Sequence, residues 1–217
     1  MSTQDAHYYE ERYNKEKTDM INREKFYDSV RESLFRGTIK PKQFEGMETI
    51  LNEWDKREFP DIRWLAYMLA TTLHETAYTM QPVKEYGSDQ YFIKLYWQNE
   101  KIAKQLGNIC AQDAIDFCGK GYVQITGRNN YKRMGKILNT PLMTNPNLAM
   151  DKTIATKILF EGMTTSKSLA GDFTGKHLGM YFNKTTEDWV KARRIINGND
   201  KAQLIAMYAL KFFEALK

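Results

Sequence analysis

DIRWLAYMLATTLHETAYTMQPVKEYG, residues 61–87, decides how this chain is read. Asp61 suits a helix N-cap, and Ile62, Leu65, Leu69 and Leu73 recur at the three- and four-residue spacing of one helical face. That helix carries His74 and Glu75 to its C-terminal end, and Pro82 blocks its continuation. A second acid, Glu85, stands ten positions beyond Glu75. One carboxylate at a helix end and another on the loop after it can face each other across a cleft. Cleavage of a glycosidic bond uses such a pair, one group protonating the leaving oxygen and the other activating water or attacking carbon.

Working outward, the dominant period stays helical. Phe26, Val30 and Leu34 form a stripe that Gly37 ends. Pro41 opens a helix with Phe44, Met47, Leu51 and Trp54 on one face, and Asp151 opens one with Ile154, Ile158 and Met163. Two more helices are expected over 186–196 and 200–216, with another over 128–138. Residues 107–121, with Gly107, Gly119 and Gly121, read as a loop. Tyr122–Thr126 is the strand candidate, with Tyr122, Gln124 and Thr126 on one face and Val123 and Ile125 on the other. The polar face suits the wall of a wet cleft. Pattern and length together predict one mainly α domain, with a short β element lining a wet cleft. An N-terminal extension over 1–20 and one domain over 21–217 are expected, since no Pro-, Gly- or Ser-rich linker divides the chain.

Bulk properties narrow the function classes. Hydrophobic content of 42% with 13% aromatics describes a globular chain, and no apolar run reaches the ~18–20 residues of a membrane span. The polar start, MSTQDAHYYEERYNKEK, is unlike a signal peptide and predicts synthesis in the cytoplasm. Cys110 and Cys118 are expected as free thiols, and the three histidines show no metal-ligand spacing, so neither metal nor cofactor is expected. Net charge of +5 fits either attraction to a polyanion or simple dispersal in solution. Lys and Arg are mixed with acids along the chain, which argues against a nucleic-acid stripe.

Three blocks in order, HETAYTMQPVKE (74–85), GKGYVQITGRNNY (119–131) and RRIINGND (193–200), resemble glycoside hydrolase family 19, the chitinase family, and most closely its bacteriophage endolysin-like branch. FYDSVRESLFRG and QFEGMETILNEWD resemble the N-terminal helices of that branch, so the likeness runs from about Phe26 to the C-terminus. It implies a mainly α, lysozyme-like α+β fold with the short β element lining a cleft between helical lobes, and Glu75 as general acid and Glu85 as general base, with Asp89 and Glu100 as substitutes for the latter. It implies Thr126 as holder of the attacking water, and Gln124, Asn130 and Asn197 as groove residues. Leu204 stands where the family carries an arginine, leaving Arg193 and Arg194 as sources of that charge. His74 reads either as a packing histidine or as a substrate neighbour, and Tyr122 either as a sugar platform or as core.

The resemblance implies an inverting endolysin that hydrolyses β-1,4 bonds in bacterial peptidoglycan, released through a membrane lesion made by a partner such as a holin. A monomer with no stable membrane insertion and no nucleic-acid partner is expected. A chitinase acting on chitin oligomers is the enzymatic alternative, and a non-catalytic saccharide-binding envelope protein the other.

Overall fold

The computed structural model describes residues 21–164 and 173–217; the expected extension over 1–20 lies outside them. Helix α1 spans Arg23–Ser33, α2 Pro41–Trp54 and α3 Ile62–Glu75. As the sequence predicts, Asp61 caps α3, its side chain accepting from the Arg63 N–H, and Pro41 opens α2. Every residue of α3 from Trp64 to Leu73 is buried, so this helix is the axis of the large lobe.

After α3 the chain enters β1 (Val83–Lys84), α4 (Asp89–Tyr96), α5 (Glu100–Leu106), α6 (Ala111–Asp116) and β2 (Lys120–Gly121). Helices α7 (Arg128–Ile137), α8 (Lys152–Met163) and α9 (Ala202–Leu216) complete the set, with 3-10 turns at Pro146–Met150, Leu178–Met180 and Lys191–Ile195. Helix α9 packs along α3 and against α1, and α2 packs on α8. Helices α4, α5 and α6 gather into a smaller lobe around Phe92, whose ring stacks 6.3 Å from that of Tyr96. The fold is therefore mainly helical, with one small antiparallel sheet, β1 against β2 in the register Val83↔Gly121 and Lys84↔Lys120. No described helix is long and apolar enough to cross a membrane.

Three expectations are corrected. Tyr122–Thr126 is not a strand. Gly121 (φ 88°) and Gln124 (φ 53°) are left-handed, and the chain folds back so that Lys120 and Ile125 exchange backbone hydrogen bonds of 3.3 and 2.9 Å. Burial overrides the alternation, since Tyr122, Val123 and Ile125 are all inside. Residues 107–121 are not one loop but hold α6 and β2. Over 186–196 only the short 3-10 turn Lys191–Ile195 forms, and Glu187 instead bridges Phe182 while the Lys191 N–H bonds to the Asp188 side chain.

Candidate active site

A cleft of about 320 Å³ opens between the lobes, and Glu75 at the end of α3 lines one side. Its other walls are Gln105 and Leu106 from α5, the turn Val123–Thr126, Asn130 on α7, Phe173 and Thr174, and Ile196 with Asn197. Of the residues named from the sequence, the fold thus brings Glu75, Gln124, Thr126, Asn130 and Asn197 to one space.

Glu75 is held by a cation from the far end of the chain. The Arg193 guanidinium, 2% exposed, donates through Nη1 to Glu75 Oε1 at 2.5 Å and through Nε to the Asp200 carbonyl at 2.9 Å. Of the two neighbouring arginines it is Arg193 that meets Glu75, whereas Arg194 donates to Asn199 Oδ1 at 3.1 Å. A buried guanidinium is costly to desolvate unless it is paired, so this contact is tightly specified. Among the described residues only Oε1 is engaged, which leaves Oε2 toward the cleft.

The loop after Glu75 fixes the end of the helix. Thr76 Oγ1 donates to the Thr72 carbonyl at 2.7 Å and accepts from the Met80 N–H at 3.0 Å. Ala77, Tyr78 and Met80 adopt left-handed φ values of 48°, 66° and 54°, which L-residues seldom take without surrounding constraint. The Tyr78 and Tyr208 hydroxyls bond to each other, pinning the loop to α9, and burial and then that bond push the Tyr208 phenol up to about 12.

Glu85 lies just behind the cleft wall, half-buried where β1 leads into α4. Tyr96 of α4 donates its phenol hydrogen across both carboxylate oxygens, at 3.0 and 2.9 Å, and the Gly119 N–H reaches Oε2 at 3.2 Å. Glu85 N–H in turn donates to the Gly119 carbonyl at 2.8 Å. A Cβ on Gly119 would lie 2.8 Å from Gln124 Oε1 and 3.1 Å from Glu85 Oε2, so both side chains approach the same glycine. Gln124 is fixed by donating to the carbonyl of Val83, the strand residue just before Lys84 and Glu85, at 2.8 Å. Thr126 Oγ1 donates to the Gln124 carbonyl at 2.8 Å, and Asn130 Nδ2 to the Thr126 carbonyl at 2.8 Å, giving that wall one continuous network.

The remaining sequence candidates fall elsewhere. Tyr122 is fully buried with no hydroxyl partner among the described residues, so it is core and offers no face to a sugar. His74 is half-buried beside Glu75 but does not line the cleft; burial above all, and then Arg193, lower its pKa against the opposing pull of Glu75. Asp89 and Glu100 are exposed in the first turns of α4 and α5, where they favour the helix dipole and do not meet the cleft. Sequence reasoning missed Tyr96, whose signal was the Ser88 cap and the Phe92–Tyr96 spacing of a short helix. Both cysteines are free, Cys110 exposed and Cys118 buried. No group of three or more potential metal ligands occurs among the described residues.

Residues 42–173 match the family model for chitinase class I, glycoside hydrolase family 19. No curated protein sequence matches significantly. Among solved structures, chitinase C from Streptomyces griseus HUT6037 superposes with a TM-score of 0.59 at 16% identity, over 91% of this chain and 76% of that one. A mutant of chitinase C gives 0.57 at 18% identity, covering 91% and 92%. A bacterial family 19 chitinase whose reported properties differ from those of plant enzymes gives 0.54 at 17% identity, covering 91% and 95%. At these identities the likeness speaks to the fold, a lysozyme-like helical one.

Proposed function

The chain belongs to the class I chitinase family, glycoside hydrolase family 19, and from that premise we propose that its cleft hydrolyses β-1,4 bonds of bacterial peptidoglycan by inversion. The observation that carries this reading is Glu75, which faces the cleft with one oxygen clamped by Arg193 and the other without a partner among the described residues. In the proposed reaction Glu75 Oε2 delivers a proton to the glycosidic oxygen. The guanidinium then stabilises the carboxylate left behind. Glu85, oriented by Tyr96 and Gly119, accepts a proton from a water held near Thr126 and Gln124, and that water attacks the anomeric carbon from the opposite face. Asn130 and Asn197 hold the sugar chain, and His74 keeps the end of α3 in place.

Peptidoglycan is favoured over chitin by the net charge of +5, which suits an anionic polymer. The same reading has the enzyme made in the cytoplasm, acting as a monomer and reaching the wall through a holin-type lesion. Mass spectrometry of fragments released from purified sacculi tests substrate and bond together, and NMR of the fresh digest reads the anomer. Muropeptides with inverted reducing ends are expected; a retained anomer, or no release, defeats the proposal. Glu75→Gln should lower turnover by about a thousandfold or more without unfolding the chain, given what a positioned acid and its charge contribute. Release from chitin oligomers alone would favour the chitinase reading.

A further inference from the structure

Arg133 differs from most of the arginines around it. Arg57, Arg63, Arg128 and Arg193 each hold a carboxylate within 2.8 Å. Arg133, half-buried on α7, has no carboxylate in reach among the described residues. Its Nη2 donates to Asn130 Oδ1 at 2.9 Å, and its Nε is buried with no hydrogen-bond partner. Asn130 itself lines the cleft and is tied to Thr126, so the guanidinium sits one hydrogen bond behind the wall that faces the polymer. A partly desolvated cation with no anion among the described residues is satisfied best by an anion that arrives with the ligand. Nη1 and the second Nη2 hydrogen remain as the fork a carboxylate fits.

We propose that Arg133 selects a carboxylate-bearing glycan, binding an acid group carried on the polymer beside the sugar that Asn130 holds. In peptidoglycan that group is a peptide-stem carboxylate or, on stem-free strands, the lactyl carboxylate; chitin carries neither. The inference rests on the hydrolase reading above and sharpens it to the substituent recognised.

Two substitutions separate charge from geometry. Arg133→Gln keeps a donor for Asn130 Oδ1 but loses the cation, whereas Arg133→Lys keeps a cation. The activity of each is compared with wild type on intact sacculi, on sacculi freed of stems by an amidase, and on a chitin oligosaccharide. Arg133→Gln is expected to lose about five- to tenfold in kcat/KM on the carboxylate-bearing polymers, mainly through KM, with chitin turnover unchanged. Arg133→Lys should retain most of the activity. A loss on intact sacculi alone assigns the stem carboxylate, a loss on stem-free sacculi alone assigns the lactyl carboxylate that the amidase exposes, and a loss on both shows that the guanidinium accepts either acid. Equal losses on chitin and sacculi would mean that Arg133 only steadies Asn130, and would overturn the proposal, as would no loss on any substrate. Wild-type cleavage of chitin alone would also overturn it while leaving a hydrolase, whereas wild-type inactivity on all three substrates would remove the hydrolase reading itself.

Discussion

Glu75 and Glu85 are held by different means, and the difference assigns each a way to fail. Glu75 has a buried cation on one oxygen; Glu85 has a neutral donor shared by both. Burial first, and the bond to Glu85 second, hold the Tyr96 phenol far above its ordinary range, so it remains a donor wherever the protein is folded. Its hydroxyl therefore sets where the Glu85 carboxylate points without competing for the proton. Tyr96→Phe should lower kcat about tenfold and leave KM within about twofold, because it misplaces the base without touching the groove. A change confined to KM would show that Tyr96 serves binding and that Glu85 is not the base. Neither contact is readable from sequence. Arg193 lies 118 residues from Glu75, and Tyr96 sits on a helix too short for its apolar pattern to declare itself.

At the scale of elements, the legible parts are those with local causes. Helices α2, α3 and α8 start where Pro41, Asp61 and Asp151 announce them, and their apolar stripes face the core. The individual helices of the smaller lobe are not legible in the sequence, because α4, α5 and α6 span only 8, 7 and 6 residues, below the length at which periodicity separates from chance. Tyr122–Thr126 was misread because its alternation imitates a strand, while left-handed backbone at Gly121 and Gln124 turns it into a loop. The groove residues Gln124, Thr126 and Asn130 nevertheless reach one wall, through that loop and not through a strand face. Close packing between elements gives a test of how the acid is positioned. A Cβ on Gly46 of α2 would lie 1.7 Å from the Met80 carbonyl oxygen, which closes the loop after Glu75. Backbone cannot swing aside like a flexible side chain, so Gly46→Ala should cost ~2 kcal/mol or more by urea unfolding. A loss under ~0.5 kcal/mol would mean that the loop is free to move away from α2.

At the scale of the whole molecule, the titrating groups of the large lobe and cleft predict an asymmetric response to pH. Burial lowers the pKa values of His74 and His177 below the ordinary 6.5. Between each folded value and 6.5 the unfolded chain binds more protons, so stability rises with pH in that window and falls on acidification through it. Asp188 is lowered from 3.8 by its bonds from Lys191, and Glu187 from 4.5 by the Trp189 N–H and then Arg63. Their support is present above those ordinary values and is lost as pH falls through the folded ones. Both carboxylates are partly exposed, so solvent screens the second effect and keeps it smaller than the shifts alone imply. The melting temperature should therefore fall by a few degrees from neutral pH to about 5 and fall again below about 4. Replacing both histidines with Gln should flatten the first decline and leave the second. An unchanged first decline in that double variant would show that the histidines are not what acid acts on. His74 adjoins Glu75, so the same proton that destabilises the fold also loads positive charge beside the proposed acid. Activity at mildly acid pH should track the melting temperature in wild type and separate from it in the His177→Gln single variant, which keeps His74 beside Glu75; activity that still follows the melting temperature there would show that charge on His74 does not reach the acid.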